Sequence, residues 1–409
     1  MSEDREDVIK VLKAAIGEHY VLTDDHSLEF YSMDVYRSFE IPIAIVQPGN
    51  IGELQETVRI ASGLGVSIVT RGGGASYTDA YLPTDPNSII IDTSRLNKIV
   101  EINEEDMFVT VEAGVTWAEM SAALAEKNLR TPFWGPFSGL KATIGGSTSQ
   151  NSVSMGSGIY GGSAESILCY EVVLANGQMI KTGSLSMENS SQFFRNYGPD
   201  LTGIFSGDAG ALGVKAKITM RLIKLPSHTL TCSFGFKNYN SMSQGMAAVA
   251  REQSISSNWG LDPKLQRGQL GKVTFMDSIR AAFAVLKTAR NPLEAIIQLI
   301  KMALAGKRFL TGFDYSAHFV AEGYSSAEVK SKLAQTRKVI SPFGTEIANT
   351  IPTVMGAMPF MPLYPILGPQ GERWVPMHGL LPFSKMQKMH DRIEELYAEK
   401  KEAMEQHSV

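Results

Sequence analysis

Apolar and polar positions in the first half of the chain switch between two periods. Residues 6–17, EDVIKVLKAAIG, repeat at helical spacing and predict a helix, followed by an irregular lead-in. IAIVQP is a short apolar run stopped by Pro48 and predicts a strand. IGELQETVRIASGLG is amphipathic and closes on Gly63 and Gly65, which predicts a helix. VSIVT and SIIIDTS are further strands, and IVEIN with MFVTVEAG reads as a hairpin turned by Glu104, Glu105 and Asp106. In TWAEMSAALAEKN, Thr116 precedes Glu119 by three residues, the spacing of a capping box at a helix start. This order predicts an α+β domain with a mixed sheet.

Between Thr131 and Gly162 the pattern fails. The segment is rich in Gly and Ser and carries no sustained apolar period, which in a compact domain points to a binding loop. CYEVVLANGQMIKTG then reads as a hairpin on Asn176-Gly177. A short helix and a glycine turn lead to a strand that alternates Val214, Ala216, Ile218 and Met220 inward. Beyond Pro226 glycines thin out. HTLTCSFGF, GFDYSAHFVAEG and TEIANT predict strands, and SMSQGMAAVAREQS and SAEVKSKLAQTRKVI predict helices. A proline-rich crossing, residues 351–369, leads to a strand in RWVPMHGLLP and to one closing helix from Ser384. The domain boundary is placed near Pro226.

Length and composition narrow the class. A chain of 409 residues exceeds one ordinary core and implies two domains. A hydrophobic share of 44% and a charged share of 20% are globular values. The net charge of −4 leaves no basic footprint for nucleic acid. Cys169 and Cys232, the two cysteines, read as reduced core thiols, with no CxxC metal site. The start, MSEDREDVIK, has no apolar core of a secretory signal. Residues 291–310 come nearest to a membrane span but are broken by Glu294, Lys301 and Lys307; they read as a helix packed on a domain or as a membrane-surface or partner-binding helix. These features predict a cytoplasmic protein with no membrane span and no metal.

The stretch with the most specific chemistry is VTRGGGASYTDA, residues 69–80. Three consecutive glycines after a strand cost backbone entropy and need a reason. Either the chain turns sharply there, or main-chain N–H groups close around an anion. The spacing is neither that of a Walker loop nor that of a G-x-G-x-x-G helix start.

RGGGASYTD, TIGGSTSQNS…YGG, VVLANGQMIKTG and DLTGIFSGDAGALGVKAKITMRLIKLP occur in this order, and together they resemble the FAD-binding domain of the vanillyl-alcohol oxidase / p-cresol methylhydroxylase superfamily. That superfamily includes glycolate and D-lactate dehydrogenase-like flavoproteins. The resemblance implies a lead-in over residues 1–41, a two-part FAD-binding domain with mixed sheets over 42–226, and an α+β cap domain over 227–409 that is incomplete at its C-terminus. Arg71, Gly72, Gly73, Gly74, Ala75 and Ser76 would form the loop around the FAD pyrophosphate. Tyr77 either stacks or donates near the ribityl chain or is a core tyrosine. Thr143, Gly145, Gly146 and Ser149, with Tyr160, Gly161 and Gly162, would line the ribityl chain and flavin. Gly210, Leu212, Gly213 and Val214 would form a turn whose backbone borders the cofactor.

Many members tether the flavin through a histidine where this chain has Ala75, so the resemblance implies non-covalent FAD. The chain also stops before the family's last cap strands and returning segment, so either a partner subunit or a homo-oligomer completes it, or it is a shortened form. The implied activity is oxidation of a small hydroxylated substrate, a 2-hydroxy acid or an aromatic alcohol, by hydride transfer to flavin N5; the alternative is a flavin-binding subunit that is inactive alone. A histidine suits the role of base. By strand alternation Trp374 and His378 share one face, which makes His378 the catalytic candidate, with Arg373 and Trp374 as substrate contacts.

Overall fold

Alternation of short apolar strands with amphipathic helices builds the N-terminal half of this computed structural model, which describes residues 3–34, 37–263, 312–360 and 379–406. Two units cluster separately: a first, Met1–Leu225, which Phe360 also joins, and a second, Pro226–Pro359, which the last helices also join.

The first unit holds two main sheets. Strands β1 (Val21–Leu22), β2 (Ala44–Val46), β3 (Ser67–Arg71) and β4 (Ser88–Asp92) lie in the order β1-β2-β4-β3, with β2, β4 and β3 parallel and β1 antiparallel at the edge. Helix α1 (Glu3–Ile16) carries Leu12, and helix α3 (Ile51–Gly63), the crossover from β2 to β3, carries Leu54 and Val58 into the core with Ile89 and Ile91 of β4. Each such buried aliphatic side chain contributes about 1.5–3 kcal/mol. The irregular lead-in contains a further helix, α2 (Asp25–Tyr31), with the Asp24 carboxylate accepting from Ser27 N at 3.0 Å.

The second sheet is antiparallel, in the order β5-β6-β10-β8-β9, from β5 (Ile99–Asn103), β6 (Phe108–Glu112), β8 (Ile167–Val173), β9 (Met179–Lys181) and β10 (Val214–Arg221). β7 (Leu129–Arg130) pairs with β11 (Ile223–Lys224) beside it. Helix α4 (Trp117–Ala125) starts on the expected capping box: Thr116 Oγ1 accepts from Glu119 N at 3.2 Å, and Glu119 Oε2 from Thr116 N at 2.9 Å. The fully buried Trp117 ring meets Phe133 edge-on at 5.2 Å and donates from Nε1 to Ser147 Oγ at 2.7 Å.

Two expectations change here. The Gly/Ser-rich segment is not one long loop, since it contains helices α5 (Ile144–Ser149) and α6 (Ser157–Tyr160). And β10 does not keep one inward face. Its register against β8 shifts between Lys215 and Lys217, a bulge that re-aims the strand. Val214 and Ala216 then pack in the first core, and Ile218 and Met220 in the second.

The second unit is an antiparallel sheet, β13-β14-β12-β15, of β12 (His228–Phe236), β13 (Ser257–Leu261), β14 (Tyr315–Gly323) and β15 (Thr345–Ile347). Phe234, Phe236 and Phe319 pack with Leu333 and Ile340 of the helix Ser326–Ile340 and with Val249 of α8 (Tyr239–Arg251). β13 is a strand that the sequence pattern does not predict. The crossing expected after β15 begins as a helix, Thr350–Ala357, with Pro352 in its first turn, where a missing N–H is tolerated. The closing helix is two helices, Met386–Glu399 and Lys401–Gln406. The segment 291–310 and the strand expected at 373–382 up to His378 lie outside the described residues. Cys169 and Cys232 are buried free thiols.

Candidate functional site

The glycine loop leaves the C-terminal end of β3, and its first side chain turns inward. Arg71 is buried; its Nη1 donates to the carbonyls of Tyr31 at 3.0 Å and Met33 at 2.8 Å, at the end of α2. The guanidinium lies 4.8 Å from the Tyr81 ring centroid and 5.3 Å from that of Tyr31. Burial lowers its pKa, with Tyr81 and Asp92 pulling the other way. Tyr31 donates in turn to Asp92 Oδ2 at 3.0 Å, and burial next to that carboxylate raises its phenol to about 12. The Arg71 side chain therefore braces the loop from beneath.

The glycines themselves answer to close neighbours. A Cβ on Gly72 would sit 2.4 Å from Thr143 Oγ1, and one on Gly73 would sit 1.6 Å from the Lys141 carbonyl oxygen. Gly74 has φ +61°, and a Cβ there would meet Arg71 Nη2 at 2.4 Å. The glycine run is thus pressed against the segment that leads into α5. Among the described residues none accepts a hydrogen bond from the main-chain N–H of Gly72, Gly73, Gly74, Ala75 or Ser76, which leaves five consecutive donors for an anion. Further along, Ser76 O accepts from Tyr81 Oη at 2.8 Å, and Ser76 Oγ pairs with Thr78 Oγ1, which donates to Gln150 Oε1 at 3.1 Å. Tyr77 is half-buried, and burial raises its phenol pKa.

The second motif forms the start of α5. Thr143 Oγ1 caps it by accepting from Gly146 N at 3.1 Å. Gly145 donates to Ala113 O at 2.9 Å, and a Cβ there would meet Ala113 at 2.8 Å, so this glycine seats the helix on the end of β6. The Ser149 carbonyl accepts from Ala209 N at 2.8 Å and the Thr148 carbonyl from Gly207 N at 2.9 Å, which docks the last glycine turn on α5. Gly210, at φ +81°, lies 3.7 Å from Thr70 on β3 when a Cβ is built on it. After Tyr160, Gly161 holds φ +76° and Gly162 packs on Asn151. Gly213 is shaped by β8, where a Cβ would meet Val172 Cγ1 at 2.6 Å, and Val214 lies in the core.

The first, second and fourth motifs, remote in sequence, therefore meet around one end of β3 and α5. Reading by motif missed the charges beneath them. Lys215 Nζ and Asp208 Oδ1 form an ion pair at 2.6 Å, with both side chains 2% exposed. Reading by motif also passed over His318, buried between Ser233 Oγ at 2.8 Å and Ser316 Oγ at 3.1 Å; burial pushes it down to about 3, so it is neutral at ordinary pH. His378, Arg373 and Trp374 lie outside the described residues. Among the described residues no cluster of His, Cys, Asp or Glu could hold a metal, and no helix is long and apolar enough to cross a membrane.

Residues 42–183 match the family model described as FAD binding domain. The chain is 30% identical over 226 residues to the glycolate oxidase subunit GlcD of Bacillus subtilis, covering 55% of this chain and 46% of that protein. It is 30% identical over 234 residues to the mitochondrial D-lactate dehydrogenase [cytochrome] of Arabidopsis thaliana, covering 56% of this chain and 39% of that one. The chain thus spans less than half the length of these two curated relatives. A crystal structure of p-cresol methylhydroxylase with substrate bound superposes with a TM-score of 0.69 at 20% identity, over 88% of this chain and 70% of that one. The glycine cradle fits the group these matches imply, because its N–H donors are unclaimed among the described residues and a Cβ on Gly73 would strike the Lys141 backbone. Residues 42–183 thus match an FAD binding domain, in a chain with the fold of p-cresol methylhydroxylase.

Proposed function

We propose that this chain is an FAD-dependent oxidoreductase acting on the CH–OH group of a small substrate, a 2-hydroxy acid or an aromatic alcohol. The observation that carries the reading is the run of five unclaimed N–H donors at Gly72–Ser76, packed against α5. These donors hold the pyrophosphate of FAD by charge-assisted hydrogen bonds, while Arg71 braces the loop. The turn at 207–210 and α5 flank the rest of the cofactor. When bound, FAD supplies the two-electron acceptor, taking hydride at N5. Residues 42–226 serve as the FAD-binding domain and 227–409 as the cap. His378 takes the proton of the substrate hydroxyl, with Arg373 and Trp374 as substrate contacts. The names of the relatives, glycolate oxidase subunit and D-lactate dehydrogenase, favour a 2-hydroxy acid. The word subunit in the first also supports a partner chain. Ala75 offers no nucleophile, which supports non-covalent FAD. We place the protein in the cytoplasm.

The test is anaerobic reduction. The purified chain, loaded with FAD, is mixed with glycolate, D-lactate, 2-hydroxyglutarate or benzyl alcohol, and loss of the yellow band is followed. Bleaching by one of these is expected, and His378→Ala is expected to slow it about 10²–10⁴-fold with FAD still bound. Failure to take up FAD overturns the cofactor reading. Uptake without bleaching by any of the four supports the inactive-subunit reading.

A further inference from the structure

The turn between α7 (Leu201–Ile204) and β10 is unusually constrained. Gly207, Ala209 and Gly210 all hold left-handed backbone, at φ 71°, 53° and 81°. Glycine adopts that region freely, and alanine does not. The turn is pinned to α5 through Thr148 O and Ser149 O and lies against Thr70 of β3. Beneath it sits the Asp208–Lys215 pair, with Lys215 next to the β10 bulge. Asp208 Oδ1 accepts both from Lys215 Nζ at 2.6 Å and from Gly210 N at 3.0 Å. Asp208 Oδ2 is buried and accepts no hydrogen bond. The Lys215 ammonium lies 5.7 Å from the Tyr170 ring centroid, and Tyr170 Oη pairs with Ser206 Oγ at 3.1 Å.

A buried ion pair is weak evidence for stability, since apolar residues of similar volume often do as well or better. A pair with one carboxylate oxygen left unsatisfied is a poorer stabiliser still. What the pair does provide is geometry. It ties the residue before Ala209 and the N–H of Gly210 to a fixed point on the sheet, and so imposes the left-handed conformation on Ala209. We propose that Asp208 and Lys215 are positioning residues for FAD: they hold the strained turn 206–210 in the one conformation that aligns the end of α5 with the glycine loop on β3. The inference rests on the FAD reading. Neither side chain touches the cofactor in this role; the pair acts through the turn.

The magnitude follows from population arithmetic. If the turn without its pair adopts the competent conformation about one tenth of the time, the apparent Kd for FAD rises about tenfold. The experiment uses the full-length chain with Asp208→Asn and Lys215→Met together, which removes both charges while keeping volume and an acceptor for Gly210 N. FAD affinity is read by flavin fluorescence quenching, and the stability of the apo protein by thermal unfolding. The expected result is a loss of FAD affinity of about tenfold or more, with the apo transition temperature close to that of the parent. Ala209→Gly is then added to the double variant. Glycine removes the conformational penalty, so it should recover several-fold of the lost affinity. An FAD affinity in the folded double variant within twofold of the parent overturns the proposal. So does an affinity loss that Ala209→Gly leaves untouched. Should the double variant fail to fold, Ala209→Gly and Lys215→Met are compared singly and together, and independence of their effects on Kd overturns it. A parent chain that binds no FAD fails the cofactor reading instead, so the two failures are distinct.

Discussion

Ala75→Asp separates the anion cradle from the packing that surrounds it. Ala75 already carries a Cβ and is half-buried, so the added carboxylate group demands no new space at the backbone. It does bring a negative charge to the five N–H donors at Gly72–Ser76. Taking about 6 Å to one phosphate charge and an effective dielectric between about 20 and 40, Coulomb's law gives a repulsion of about 1.5–3 kcal/mol. That is about a 10- to 150-fold loss of FAD affinity. Gly73→Ala makes the opposite kind of change: no charge, but a Cβ placed 1.6 Å from the Lys141 carbonyl oxygen. The segment 141–143 must move, and with it the Thr143 cap on α5. Overpacking of this kind costs about 1–3 kcal/mol, or roughly 2–12 °C in a unit of this size. Gly63→Ala, at the end of α3 with nothing within 4 Å, is the control and should change neither quantity. The assay is again apo thermal unfolding beside FAD titration by fluorescence quenching, for all three variants. Ala75→Asp should lose affinity with an unchanged apo transition, and Gly73→Ala should lose both. Parental FAD affinity in Ala75→Asp would refute the cradle, and a parental melting temperature in Gly73→Ala would refute the packing argument.

Two further outcomes are expected. The flavin should leave the protein on acid precipitation, giving a white pellet and a yellow supernatant, because Ala75 has no nucleophile; a pellet that stays yellow and fluoresces on a denaturing gel would disprove non-covalent binding. Burial holds His318 at about 3, below its unfolded value of 6.5, so the unfolded chain binds more protons between these values and stability falls as pH drops through that window. The loss is up to about 1.4 kcal/mol per pH unit, read by urea unfolding of the second unit between pH 7 and pH 4. His318→Asn should flatten that slope, and an unchanged slope would assign the pH dependence elsewhere.

Much of the local structure was legible because its causes are local. The capping box at Thr116, the Asn176-Gly177 hairpin between β8 and β9 and the apolar run of β4 are set by residues within a few positions of one another. Where reading by pattern failed, the deciding contacts were distant. β13 is a strand because it pairs with β14, from which it is remote in sequence, and its own residues, SNWGL, carry no alternating signal. Pro352, read as part of a proline-rich crossing, falls in the first turn of a helix, where a missing N–H is tolerated.

The candidate site divides along the same line. By itself the sequence determined that a glycine loop follows a strand, that a Gly/Ser-rich segment follows later, and that these motifs come in an order resembling that of an FAD-binding domain. Those features depend on residue type and spacing, which a linear text records. Only the tertiary structure decided why Gly72 and Gly73 admit no side chain, since the atoms in the way belong to Lys141 and Thr143. It also turned the Arg71 side chain to the carbonyls of Tyr31 and Met33. It buried Lys215 against Asp208, beside a bulge in β10. Close approach and charge burial are set by how strands and helices pack together in three dimensions, and a hydrophobic period carries no record of which distant backbone will lie across it.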